Sequence, residues 1–185
     1  MTSDQPACRC VLCHDYGDRA EAGRSERWAV EQVRGRGWGV VMVPADEEGP
    51  GFAYTVGLWH THRVPELAMF GLSDVHAMHT VLNALGDRAG EDGELAAGRE
   101  QHGLLTDRPV LLRTADLRWY RAFFGQAIGF HRRPPFPVLQ VVWPDHRGHY
   151  PGDPDADAGC RDAQPQLWLT PAEHPRGVWT ALAED

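Results

Sequence analysis

Val138-Leu139-Gln140-Val141-Val142-Trp143 is the clearest strand in the chain, and the rest of the fold is read outward from it. It is entered from Pro134-Pro135-Phe136-Pro137, where the prolines enforce an extended backbone, and it is closed by Pro144. Gly39-Val40-Val41-Met42-Val43 reads as a second, buried strand, ended by Pro44 and the acidic loop Ala45 to Gly51. Phe52 to Trp59 is aromatic and β-prone, and the eight-residue loop before it suits an antiparallel pairing with 39–43. Leu67 to Leu72 follows the turn at Pro65, and Pro109 to Arg113 reads as a further strand.

Helical spacing fills the intervals. Asp18 to Arg34 carries Trp28 and Val33 among charged residues and stops at Gly35 and Gly37. Ser73 or Asp74 can cap a helix to about Arg88, in which Val75, Met78, Val81, Leu82 and Leu85 form one stripe at about 100° per residue. Asp116 can cap a third, with the stripe Leu117, Tyr120, Phe124 and Ile128. Gly90 to Gly103 supports no assignment, and Leu167-Trp168-Leu169 suits a short edge strand. This order predicts one α+β domain over residues 16–185. Its sheet is mainly antiparallel and carries two or three packed helices, and a Cys-rich leader, residues 1–15, precedes it.

The 185 residues include no lysine: all 18 basic residues are arginine, against 15 Asp and 11 Glu, for a formal charge of −8. A phosphate-loop lysine, a kinase strand lysine and a Schiff-base lysine are thereby excluded, so neither a P-loop nucleotide site nor pyridoxal phosphate is expected. The stretch Arg108 to Arg133 holds six Arg and one Asp, so it is +5 and the remainder sums to −13. That balance disfavours nucleic acid as a partner. No apolar run approaches the roughly 18 residues that span a bilayer, and no signal peptide is legible at Met1 to Asp15, so the expectation is a cytoplasmic protein.

At Tyr54-Thr55-Val56-Gly57-Leu58, Pro65-Glu66-Leu67, Gly71-Leu72 and Gln140-Val141-Val142-Trp143-Pro144-Asp145 the chain resembles a bacterial family, the domain of unknown function 4262. The similarity runs roughly from Gly37 to Leu169. Relatives often also carry a CxxC near the N-terminus, as Cys10-Val11-Leu12-Cys13 does here. The resemblance implies a fold family and a set of marked positions but no activity. Where many relatives have His before Pro-Glu-Leu, this chain has Val64, with His60 and His62 slightly upstream.

Three constellations can carry chemistry. Cys8, Cys10 and Cys13 offer soft thiolates at a spacing that grips one tetrahedral ion, zinc above all, with Cys160 or a histidine completing the site. The alternatives are incidental cysteines in a flexible leader, a redox dithiol, or the haem-attachment pattern spelled by Cys10 to His14. The second groups Tyr54, Thr55, His60, His62 and Glu66 with Gln140, Trp143 and Asp145. His60 and His62 would share one side of a strand, and His62, Glu66 and Asp145 would supply acid–base groups. The bland counterpart is a set of turn-closing carboxylates and exposed loop histidines. The third is the basic stretch with Arg118 and Arg121 adjacent on a helix, suited to a small anion or an acidic peptide. Two functions follow. One is a ligand-binding or enzymatic pocket between strands 52–59 and 138–143; the other is a non-catalytic, zinc-stabilised interaction, accessory or immunity protein.

Overall fold

In the computed structural model, which describes residues 7–92, 95–132 and 136–183, six strands form one sheet. The helices in chain order are α1 (Arg24–Arg36), α2 (Leu58–Thr61), α3 (Val75–Asp92), α4 (Tyr120–Phe123), α5 (Gly125–His131), α6 (Ala158–Ala163) and α7 (Val178–Ala181). The strands are β1 (Gly39–Val43), β2 (Phe52–Val56), β3 (Glu66–Phe70), β4 (Glu100–Leu105), β5 (Arg108–Thr114) and β6 (Val138–Val142). They lie in the order β1-β2-β3-β6-β5-β4, antiparallel except for the β3–β6 pair, in which Glu66 faces Val138 and Ala68 faces Gln140. The chain is thus an α+β domain with a mainly antiparallel sheet.

The alternation of side chains along each strand divides the core into two. Ala53, Leu67, Met69, Leu139 and Val141 face α3 and its stripe of Met78, Val81, Leu82 and Leu85. Tyr54, Val56, Ala68, Phe70 and Val138 face the opposite layer, built from α1, the α4–α5 segment and Trp179. Cys10 and Val11 are buried in that second layer, and the Val11 amide donates to the Phe130 carbonyl at 3.0 Å. The cysteine-bearing segment is therefore packed into the domain.

Several elements differ from the sequence reading, each for a local reason. The aromatic strand stops at Val56, because Gly57 adopts φ +117° and turns the chain into α2, so His60 and His62 are not on a strand. A Cβ at Gly57 would lie 2.5 Å from Val33 Cγ2. The single helix expected after Asp116 is a 3-10 turn, Leu117–Trp119, followed by α4 and α5. Of the expected stripe Tyr120 and Phe124 are buried, but Leu117 is 56% exposed, and Trp119 and Phe123 are buried as well. Asp116 does cap this segment, accepting from the Arg118 amide at 2.9 Å. β4 arises where no assignment was made: it is a polar, largely exposed edge strand joined to β5 by a turn in which Asp107 sits at φ +59°. Leu167 to Leu169 forms a turn rather than an edge strand. Its backbone is held by the Gln140 side chain, the Asp116 amide and the Trp119 indole, which leaves no ladder to form. Pro134 and Pro135 of the expected extended segment lie outside the described residues.

Gly71, just beyond β3, sits at φ +77°, and a Cβ there would run into the Ala163 carbonyl. Gly71→Ala is expected to cost at least about 2 kcal/mol in urea unfolding, from backbone strain plus a clash with main chain. Gly98→Ala, at φ +81° with open space around it, should cost only about 1 kcal/mol.

Candidate metal centre

Cys10 begins a tight turn whose carbonyl accepts the amides of Cys13 and His14 at 3.1 and 3.0 Å, which folds Cys13 back over Cys10. Across from it, α2 presents His60. His60 Nδ1 lies 3.8 Å from Cys8 Sγ, 3.2 Å from Cys10 Sγ and 3.4 Å from Cys13 Sγ. The four ligand atoms all fall within 4.8 Å of one another, so these residues can hold a metal ion. Burial is graded across the group: Cys10 is buried, Cys8 and His60 are half-buried, and Cys13 is exposed.

The three thiols are not equivalent. Burial opposes charge on Cys8, yet hydrogen bonds from His131, the Cys10 amide and His60 outweigh it and bring the thiol down to about 5. Burial pushes Cys10 up to about 12; the amides of Cys13 and Leu12 oppose that rise and the neighbouring Cys8 charge adds to it. Cys13 is raised in the same direction, again chiefly by burial.

Behind the cluster stands a buried ion pair. His131 Nε2 lies 2.8 Å from Glu66 Oε1, with side chains only 3% and 1% exposed. His131 also acts on the Cys8 thiol, favouring its charged form. The Glu66 carboxylate accepts from Thr55 Oγ1 at 2.6 Å and from the amides of Gly57, Leu58 and Trp59 at 2.8, 3.3 and 3.1 Å. Those amides are the first turn of α2, so one carboxylate orients both the helix that carries His60 and the imidazole that meets Cys8. Burial alone would push the Glu66 carboxyl up, but His131, Thr55 and the amide donors outweigh it and hold it below the usual carboxylate value. Burial would likewise lower His131, and Cys8 with Glu66 raises it.

The remaining sequence candidates do not gather around one cleft. Cys160 is buried elsewhere, its Sγ 3.6 Å from the Trp143 carbonyl and 3.4 Å from Gln164 Nε2, so His60 stands in the cluster instead. His62 turns away from His60 and packs its ring edge-on against Trp38, with centroids 5.8 Å apart. Asp145 organises its own loop by accepting from the amides of Arg147, His149 and Asp157. Tyr54 accepts from the Gln126 amide, and Thr55 is bound to Glu66. Gln140 spans the Pro165 carbonyl and the Leu167 amide, and the Trp143 indole donates to the Phe70 carbonyl. β3 lies between strands 52–59 and 138–143, and the polar side chains named on them are spent on internal bonds. Arg118 is exposed beside Asp116, and Arg121 is exposed on α4. His131 was not singled out in the sequence; it lies in the basic stretch between Phe130 and Arg132, with no metal-type spacing to mark it.

A family model described as a domain of unknown function, DUF4262, matches residues 32–157, and the chain belongs to that family. No curated protein and no solved structure matches the chain. His60, Glu66 and His131 fall inside the matched segment, and the three clustered cysteines precede it. Among the described residues no helix is long and apolar enough to cross a membrane.

Glu66→Gln would place an amide NH₂ among five donors and leave His131 without its counter-charge. The expected cost is about 3–5 kcal/mol at pH 7, read from denaturant unfolding. A carboxyl held below its unfolded value stabilises the fold above that value, 4.5, and the stabilisation is lost as pH falls through the lower folded value. The wild type should therefore lose stability on acidification below about 4.5, and the variant should show a flatter profile over the same range.

Proposed function

We propose that this DUF4262 member is a zinc protein in which Cys8, Cys10, Cys13 and His60 hold one Zn²⁺ that fastens the N-terminal segment to the domain. Its role is that of a non-catalytic binding or accessory protein. The observation that carries this reading is the fit of the ligand set. With Zn–S near 2.3 Å and Zn–N near 2.0–2.1 Å, the nitrogen-to-sulfur edge of a tetrahedral site is about 3.6 Å. The three separations of 3.8, 3.2 and 3.4 Å bracket that edge.

Donor chemistry supports zinc over harder ions, since three thiolates and an imidazole form a soft, tetrahedral set. Four protein ligands leave no open position for substrate, which favours a structural ion over a catalytic one. The His131–Glu66 pair behind Cys8 has the form of an outer shell that fixes ligand orientation. Four unpaired cysteines suit a reducing compartment, which supports the cytoplasm as the location.

A metal joining Cys13 to His60 closes a span of 47 residues. By loop-closure entropy alone such a cross-link is worth about 4 kcal/mol. Protein purified anaerobically is expected to carry about one equivalent of zinc by native mass spectrometry, and chelation should lower the melting temperature. The Cys10→Ser/Cys13→Ser variant should lose the ion and melt where the chelated wild type melts. A wild type that takes up no zinc, or that melts identically with and without it, would sink the proposal.

A further inference from the structure

The turn between Cys10 and Cys13 does more than carry ligands. Its two middle residues, Val11 and Leu12, form one wall of a cavity of about 310 Å³ whose other wall is the outer face of α1. That volume lies at the small end of the range for ligand pockets, and the lining is mostly apolar. Val30 forms the floor on the helix side. Arg27 and Arg34, two turns apart on the same face, bracket it, and Arg19 stands on the rim beside Val11.

The rim charges decide what such a cavity accepts. Glu26, the more buried of its two carboxylates, is already held by Arg132 at 2.8 Å. Glu31 is exposed, where solvent screens it. Arg19 is shared with Asp15 and the Val11 carbonyl, and Arg27 donates to the Ala22 carbonyl. Arg34 makes no side-chain hydrogen bond or ion pair among the described residues. Its planar fork is thus free to take a carboxylate in bidentate fashion at the edge of an apolar slot.

We propose that this cavity is a binding site for a small amphipathic carboxylate, its apolar body against Val11, Leu12 and Val30 and its head on Arg34. A single negative charge meets the local arginines, whereas a polyanionic partner would be repelled by a chain of net charge −8. This inference goes beyond the zinc reading and is measured separately from it.

The test uses octanoate as the probe and 1-octanol as its neutral counterpart, titrated into the ¹⁵N-labelled full-length protein while bound zinc is counted on the same sample. Octanoate should shift the amides of Leu12, Val30 and Arg34 saturably. Arg34→Gln should weaken it by roughly tenfold, the scale of one lost charge-assisted contact, and leave 1-octanol unchanged. The Arg34 side chain is exposed, so the melting temperature of the variant should match wild type. The proposal is overturned by an absence of saturable shifts, by shifts centred elsewhere, or by equal binding of 1-octanol. A sample without zinc that still binds octanoate at these amides would support the cavity and count against the metal reading alone.

Discussion

The Glu66 carboxylate is the interaction on which the rest of the molecule depends. It lies at the start of β3 in the middle of the sheet, yet its oxygens are spent outside the ladder. One set of bonds starts α2 and so aims His60; another fixes His131 against the cysteine segment. A charge buried this deeply is tolerated only because every lone pair is met and a counter-ion lies at 2.8 Å. The sheet, the short helix and the N-terminal segment therefore share a common electrostatic centre, and no one of them can shift without stranding it.

The two faces of the sheet do different work. On the α3 side the contacts are aliphatic and continuous, an ordinary amphipathic helix over a β-layer. On the other side the packing is aromatic: Phe52, Phe70, Phe123 and Trp179 meet in edge-on and stacked pairs, and the cysteine turn closes one end. The polar side chains grouped from the sequence are divided between the faces: His62 and Trp143 pack on the α3 side, Tyr54 and Gln140 on the aromatic side. Gln140 staples the C-terminal segment and Tyr54 meets α5; both serve as internal ties.

Much of this architecture was legible in the residues. β1, β3 and β6 are dense apolar runs between prolines and glycines, and the stripe of α3 has unambiguous period. What the sequence hid were features defined by tertiary neighbours. Glu100 to Leu105 has no apolar pattern because it is an exposed edge, held as a strand only by β5. Leu167 to Leu169 looked like a strand because its apolar residues pack, while its backbone is satisfied by side chains. The cysteine cluster was visible from spacing, but its fourth member was not: Cys160 and His60 both lie far along the chain from the leader, and the turn at Gly57 into α2 is what brings His60 to it. Glu66 was marked as chemical from its motif; that its oxygens are taken up by Thr55, His131 and the first amides of α2 is visible only from what surrounds the carboxylate.

The ligand arrangement has a consequence for how the molecule reports its own state. Three sulfurs lie within six residues of chain, while the nitrogen arrives from 47 residues beyond Cys13, on a helix whose first amides are bound by Glu66 of β3. An unfolded or half-made chain offers at most a loose thiolate chelate; the complete four-atom set is a property of the finished domain. Affinity for a metal ion at this site would in effect be a local readout of a global event, since the fourth ligand is in place only in the folded domain.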